Sequence, residues 1–192
     1  MLERFTTYLI NLDEQKERLG TSTKLLESIK QPFERYAGIK HNVGLVGCGM
    51  SHLDLLGKIK PNTLILEDDI ALTDHEKVLS PIPAHADALY LGVSNYGYVR
   101  RVPHGVEGSV LASQVSKDYK RIYNMCSTHA IIYLSERYIE SSKQIIEHCL
   151  KVGAPFDLGL ASIHRHFNVI TPNNPWFYQK GQPELTNFSL QV

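Results

Sequence analysis

Apolar and polar positions follow two alternating patterns along the chain, one typical of buried strands and the other of amphipathic helices. Runs of apolar and β-branched residues predict strands at residues 7–12, 33–37, 63–66, 88–92 and 126–134. Apolar residues at helical spacing predict helices over about 14–29, 49–59, 135–152 and 157–166. Strands that alternate with helices in this way are typical of an α/β layer structure.

Several helix ends carry recognisable signals. Asp13 and Ser135 are of types that often cap helices, and they stand where the first and third predicted helices begin. Pro61 follows the second helix and cannot continue it. These signals support the predicted boundaries.

Two segments lack regular periodicity. Residues 93–118 are rich in turn-forming residues and predict either a binding loop or an irregular hairpin. Four of its residues are candidates for binding sugar or phosphate by stacking and charge: Tyr96, Tyr98, Arg100 and Arg101. Residues 171–192 carry prolines and few periodic apolar positions, so we expect an irregular C-terminal tail. No repeat or linker divides the chain, and its 192 residues predict a single domain, 1–192.

Charge composition excludes some partners. Twenty lysines and arginines balance twenty acidic residues, so no overall positive field attracts nucleic acid or an anionic membrane. The longest apolar runs fall well short of the roughly 20 residues that a membrane span needs. The first seven residues lack the apolar core of a signal peptide. We therefore expect no nucleic-acid partner, no transmembrane segment and a cytoplasmic location.

The spacing of the cysteines and histidines does not predict a zinc site. Cys48, Cys126 and Cys149 are odd in number and show no CxxC spacing, so we expect reduced, structural thiols. His164 and His166 have the spacing of paired ligands, but no third ligand is evident. We predict structural histidines and no zinc.

Three consecutive carboxylates, Glu67, Asp68 and Asp69, directly follow the predicted strand at residues 63–66. Ligands of open α/β sheets gather beyond the carboxyl ends of such strands. Oxygen ligands suit Mg²⁺ or Mn²⁺, which keep several positions for water and substrate phosphates. The triplet therefore predicts a site for a metal ion and a diphosphate. The alternative is a solvated acidic loop that caps the next helix.

Six short motifs occur in one order along residues 8–160. They are Ile10-Asn11-Leu12-Asp13 with Arg18, Gly47-Cys48 with Ser51-His52-Leu53, Leu64-Ile65-Leu66-Glu67-Asp68-Asp69, Leu89-Tyr90-Leu91-Gly92, Thr128-His129-Ala130 with Ser135, and Pro155-Phe156-Asp157. Together they resemble glycosyltransferase family 25, the lipopolysaccharide-type and procollagen-type galactosyltransferases. The resemblance implies the GT-A fold, a nucleotide-diphospho-sugar transferase sandwich with a central, mainly parallel sheet flanked by helices. It also implies a nucleotide-sugar donor and, usually, manganese. The tail matches the family only at Gln179.

The resemblance assigns roles to the triplet. Asp69 is expected to bind the metal, and Glu67 to contact the ribose or a metal-bound water. Alternation along a strand puts Glu67 and Asp69 on one side and Asp68 on the other. Because the strand is expected to end here, the choice between Asp68 and Asp69 as the ligand stays open.

The first strand and the turn after it lie where nucleotides bind in α/β folds. Asn11, Asp13 and Arg18 are therefore candidates for holding the base, ribose or diphosphate, and Arg18 is the best diphosphate ligand among them. The alternative for Arg18 is a surface ion pair with Glu14, one helical turn away. The alternative for Asp13 is the N-cap role alone.

Two further positions are candidates for contact with the donor or acceptor. Ser51 and His52 are expected to begin the second helix, so that His52 faces the donor sugar or diphosphate. A hydrogen-bonded structural histidine is the alternative, and it applies to His129 as well. Asp157 is the expected catalytic base. It stands at the start of the last predicted helix, where the helix dipole favours the ionised form of a carboxylate. An ordinary N-cap is the alternative there.

These expectations describe a metal-dependent glycosyltransferase. It would move a hexose, galactose or glucose, from a UDP-sugar to a hydroxyl of a glycan or glycoprotein acceptor, with inversion, using Mn²⁺ or Mg²⁺. Two other classes compete: a non-catalytic nucleotide- or carbohydrate-binding module of the same fold, and a metal-dependent nucleotidyltransferase. A two-carboxylate glycosidase is disfavoured because adjacent carboxylates are poorly placed to act from opposite faces of a sugar ring.

Overall fold

The structure is a computed structural model that describes residues 2–102 and 105–181, with the side chains of residues 99–102 and 105–108 left undescribed. Its helices are α1 (Lys16–Ser28), α2 (Gly44–Leu56), α3 (Glu136–Val152) and α4 (Phe156–Ile163), with a 3₁₀ turn at His164–His166. Its strands are β1 (Thr6–Asn11), β2 (Glu34–Ala37), β3 (Thr63–Glu67), β4 (Ile70–Leu72), β5 (Ala88–Tyr90), β6 (Tyr96–Val102), β7 (Gly105–Ser109), β8 (Ala112–Gln114), β9 (Tyr119–Ile122), β10 (Ala130–Tyr133), β11 (Val169–Pro172) and β12 (Phe177–Gln179).

The central sheet has eight strands in the order β2-β1-β3-β10-β5-β11-β9-β8. Six of them run in one direction, while β10 and β9 run against the rest. The sheet is therefore mixed and mostly parallel. The predicted α/β layer structure with flanking helices is confirmed.

The two faces of this sheet carry separate apolar cores because successive side chains of a strand point to opposite sides. Leu64 and Leu66 of β3 belong to the cluster that includes Leu26 of α1. Ile65, between them, belongs to the cluster that includes α2, α3 and α4, for example Leu160. The helices thus cover both faces, and the carboxyl ends of β1, β2 and β3 meet at one open edge.

Two predicted helix starts are wrong. Helix α1 begins after Gln15, and Asp13 lies outside it, largely exposed and paired with Arg35. Helix α2 begins at Gly44 rather than Gly49, so Ser51 and His52 lie inside it. Glycine-rich sequence usually disfavours a helix, but here it permits close packing: a Cβ on Gly47 would lie 2.6 Å from the Ile39 carbonyl oxygen.

Other boundaries follow the predictions more closely. The Ser135 Oγ accepts a hydrogen bond from the Tyr138 N–H, which confirms its N-cap role. Strand β10 is shorter than predicted, and residues 126–129 instead form an irregular segment at the open edge of the sheet. Residues 93–118 contain the β6–β7 hairpin, which has a register irregularity between Tyr96 and Arg100. The irregular-hairpin alternative is therefore confirmed.

The predicted irregular tail is wrong for its first half. Strand β11 joins the central sheet, and β12 pairs with β4. Trp176 and Phe177 are buried, so this segment packs into the core through contacts distant in sequence. Residues 182–192 lie outside the described residues. Within the described part of the chain, no helix has the length and apolar character that crossing a membrane requires.

Candidate functional site

A cavity of about 530 Å³ opens at the carboxyl edge of the parallel strands. Asn11 ends β1, Glu67 ends β3, and the following turn contributes Asp68 and Asp69. Residues of five further segments also line it: Gln15, Arg18, Cys48, Ser51, Thr128, Asp157 and Gln179. This is the position where open α/β sheets bind ligands.

Asp68 is held by two side chains from the first strand and helix. Asn11 Nδ2 donates to its Oδ2 at 2.7 Å, and Arg18 Nη1 donates to its Oδ1 at 3.2 Å. Its backbone carbonyl accepts a hydrogen bond of 2.8 Å from the Ser22 Oγ. Asn11 is itself oriented by a bond of 3.0 Å from Arg35 Nε. Asp68 thus ties the acidic turn to β1 and α1.

The partner of Arg18 differs from the predicted alternative. Glu14 pairs with Lys40, and Arg18 pairs instead with Asp68, with Asp69 Oδ2 at 4.0 Å. The Arg18 side chain stays 53% exposed. Because a guanidinium carries five N–H donors, it keeps donors for an anion in the cavity.

Glu67 accepts hydrogen bonds on one oxygen from two side chains. Thr128 Oγ1 donates to its Oε1 at 2.6 Å, and His52 Nε2 lies 3.1 Å from the same atom. Burial alone would raise the pKa of Glu67, but the bonds from His52 and Thr128 outweigh it and lower the pKa. Glu67 is therefore held in its ionised form.

Cys48 lies beside this pair, with ligand atoms of Cys48, His52 and Glu67 within 4.8 Å of one another. Burial, reinforced by the charges of Glu67 and Asp69, raises the pKa of the Cys48 thiol. Cys48 and His52 therefore support Glu67 through side-chain hydrogen bonds.

Of the three carboxylates, that of Asp69 accepts the fewest hydrogen bonds from side chains of the described residues. Gln179 Nε2 donates to its Oδ2 at 3.0 Å, whereas its Oδ1 is buried and accepts no hydrogen bond from the described residues. Burial, followed by the charge of Glu67, raises the pKa of Asp69. A buried anionic oxygen without a donor is costly, and a cation removes that cost.

Asp157 lies across the cavity in the first turn of α4. Pro155 is the N-cap of that helix, so the N-cap alternative for Asp157 is wrong. Asp157 Oδ1 accepts a hydrogen bond of 2.9 Å from the Leu158 N–H. Burial raises the pKa of Asp157 despite this bond. The structure therefore brings Asp157 to the same cavity as the acidic triplet.

Two predicted site residues play supporting parts, and a third lies outside the cavity. Ser51 lines the cavity but is held by bonds of 2.7 Å to the Gly47 carbonyl and from the Ile39 N–H. His52 is fully buried and reaches the cavity only through Glu67. Asp13 does not line the cavity.

Two cavity residues received no role from the sequence. Thr128 was part of a matching motif, but nothing in its local pattern indicates that it donates to Glu67. Gln179 was the single match in the tail, and it reaches Asp69 through the unpredicted strand β12.

The remaining candidates lie elsewhere or have structural contacts. Tyr96 lines a neighbouring cavity, and the side chains of Arg100 and Arg101 lie outside the described residues. His129 is buried and shares a 3.0 Å hydrogen bond with Ser127 Oγ. The three cysteines are free, as expected. His164 is buried and bonds to Tyr90, which agrees with its structural assignment.

Comparison of the chain with models of protein families and with curated proteins finds no match. The chemistry of the site therefore rests on its geometry and on the motif resemblance described above.

Proposed function

We propose that this protein is a metal-dependent glycosyltransferase that moves a hexose from a UDP-sugar to a hydroxyl acceptor with inversion. The observation that carries the proposal is the shared cavity: the acidic turn after β3, the Arg18 guanidinium and Asp157 all line it. Its volume of about 530 Å³ falls within the roughly 300–1,000 Å³ typical of small-molecule sites. We include the GT-A form of the α/β sandwich in this proposal.

The donor set fits a hard divalent cation. Asp69 Oδ1 is a buried carboxylate oxygen without a hydrogen-bond donor among the described residues, and it lies in an acidic turn. Mn²⁺ or Mg²⁺ typically takes one or two carboxylates and fills the rest of its shell with water and phosphate. Asp69 would hold the cation, and Glu67 would contact it through water or contact the ribose. When bound, the cation stabilises the negative charge that develops on the departing diphosphate.

The choice of Asp69 over Asp68 follows from their partners. Both Asp68 oxygens already accept hydrogen bonds, one from Asn11 and one from Arg18. Asp68 is therefore assigned to positioning, and it keeps Arg18 at the cavity wall. The exposed part of Arg18 is available to a donor phosphate.

Asp157 is proposed as the general base. Asp157 takes the proton of the acceptor hydroxyl as the hydroxyl oxygen forms a bond to the anomeric carbon of the donor sugar. At the same time, the bond from the anomeric carbon to the diphosphate oxygen breaks, and the electron pair of that bond leaves with the nucleoside diphosphate. A raised pKa makes Asp157 a stronger base than an exposed aspartate.

The test is Mn²⁺-dependent release of UDP from UDP-galactose and UDP-glucose by the folded protein, with and without glycan and glycopeptide acceptors. UDP release that requires the metal and rises with acceptor supports the proposal. Release of pyrophosphate from a nucleoside triphosphate would identify a nucleotidyltransferase instead. Calorimetric binding of UDP-sugar without any turnover would identify a binding module.

A further inference from the structure

A second cavity of about 240 Å³ adjoins the donor cavity. The two cavities share four lining residues: Cys126, Ser127, Asp157 and Gln179. Asp157 therefore lines both spaces. A group in the smaller cavity therefore lies next to a residue that also lines the donor cavity.

The smaller cavity is lined by apolar surface together with polar groups that are mostly uncharged. Ser94, Asn95 and Tyr178 contribute a hydroxyl, an amide and a phenol, and Tyr96 contributes an aromatic ring that is 64% exposed. Its described lining residues include one acid, Asp157, and no lysine or arginine. Hydroxyl and amide groups match the hydroxyls of a sugar, and an exposed aromatic ring offers an apolar surface to its C–H face.

The imidazole that lines this cavity carries little charge. His129 is 2% exposed, and burial lowers its pKa, which disfavours the charged imidazolium. The described lining thus offers no cation to a phosphate or a carboxylate. The volume also lies below the roughly 300–1,000 Å³ of sites for larger ligands, which favours a single sugar ring.

We propose that the smaller cavity is the acceptor subsite and that it takes one uncharged sugar residue, with the reacting hydroxyl at Asp157 and the ring against Tyr96. The acceptor role rests on the proposed function. Recognition of an uncharged sugar is a separate property that direct binding measures.

The experiment is saturation-transfer NMR on the full chain with neutral methyl hexosides, methyl hexuronides and hexose phosphates, each with and without UDP and Mn²⁺. We expect the neutral glycosides to bind and the acidic ones to bind more weakly. Tyr96→Ala should weaken binding of the neutral glycosides by about fivefold or more. Tyr36→Ala is the matched control, because Tyr36 is partly buried on β2 and lines neither cavity.

Binding that is selective for neutral glycosides and sensitive to Tyr96→Ala supports the subsite, whether or not UDP release is detected. The absence of glycoside binding overturns it, even if UDP release is metal-dependent. Preferential binding of acidic sugars, or equal losses in Tyr96→Ala and Tyr36→Ala, overturns it as well. Circular dichroism of both variants shows whether a loss reflects unfolding, and in that case Asn95→Ala replaces Tyr96→Ala under the same criteria.

Discussion

Gln179 Nε2 donates a hydrogen bond of 3.0 Å to Asp69 Oδ2, although the two residues are 110 positions apart. The bond joins β12 to the acidic turn and opposes the rise in the pKa of Asp69 that burial and Glu67 produce. One oxygen of Asp69 is thus oriented by the protein, and the other is free of protein donors in the described chain. We therefore expect protons and the metal ion to compete for the Asp69 carboxylate.

Replacing Gln179 with alanine should raise the pKa of Asp69 further, because the opposing hydrogen bond is lost. A more basic carboxylate holds its proton to higher pH, so metal-dependent UDP binding should require higher pH. A hydrogen bond of this kind contributes about 0.5–1.5 kcal/mol, which predicts a loss of about 2- to 10-fold in affinity at low pH and a smaller loss as the pH rises. Calorimetry at a series of pH values measures it.

Gln114→Ala is the control for Gln179→Ala, since Gln114 lies on β8 at the far edge of the sheet. It should leave UDP binding unchanged at each pH. A pH-independent loss in Gln179→Ala would mean that the side chain acts by shape alone, not through Asp69.

Substitution by asparagine should have different effects on UDP binding and on stability at Asp68 and at Asp69. Asp69→Asn should abolish Mn²⁺-dependent UDP binding with little loss of stability, because it removes a carboxylate that burial and Glu67 already disfavour. Asp68→Asn should lower the free energy of unfolding by roughly 1–3 kcal/mol, because it disrupts the bonds to Asn11 and Arg18. Urea unfolding and calorimetry of both variants separate the effects. The reverse pattern would make Asp68 the metal ligand.

The position of this site is accessible from sequence, but its internal contacts are not. An apolar strand that runs into Glu67 is a local pattern, and β3 ends at that residue as expected. The ion-pair partner of Arg18, in contrast, could not be predicted from local sequence. The i,i+4 rule favours Glu14, yet the structure pairs Arg18 with Asp68, which is 11% exposed compared with 44% for Glu14. Less water around the buried carboxylate strengthens the distant pair.

The sequence left two roles open for His52, contact with the donor and a hydrogen-bonded structural role, and the buried bond to Glu67 agrees with the second. The predicted start of its helix was wrong for a related reason. Gly44, Gly47 and Gly49 look like helix breakers in sequence, yet all three lie in α2, and Gly47 and Gly49 pack closely against neighbouring segments. Because the helix starts five residues earlier than predicted, His52 lies in its interior and not in its first turn. The approach of Gln179 has no local signal either, because it depends on pairing between β12 and β4.

His52 should stabilise the folded protein through Glu67. In His52→Leu the hydrogen bond to Glu67 is lost, so the pKa of Glu67 in the folded protein should rise. A carboxylate whose pKa is lowered by folding adds stability above its unfolded pKa, near 4.5, and that contribution is lost as pH falls through the folded pKa. We therefore expect His52→Leu to be less stable by about 1–3 kcal/mol at pH 7.

The difference between His52→Leu and the parent protein should shrink as the pH falls through the folded-state pKa values of Glu67 in the two proteins, because Glu67 then becomes protonated in both folded states and the bond from His52 no longer distinguishes them. Urea unfolding at pH 7 and pH 4 measures it. His148→Leu, on α3 and outside the donor cavity, is the control for loss of an imidazole. A stability difference that is the same at both pH values would show that His52 contributes packing only.

Asp157→Asn should separate donor binding from transfer. The amide has nearly the same shape but cannot accept the acceptor proton, so UDP-sugar binding should persist while transfer falls by about 10²- to 10⁴-fold. In the parent protein, the transfer rate should rise with pH as Asp157 ionises. Because burial raises the pKa of Asp157, the midpoint of that rise should lie above the ordinary value of 3.8. Single-turnover rates between pH 4 and pH 8 measure it, and transfer by Asp157→Asn at the parental rate would exclude Asp157 as the base.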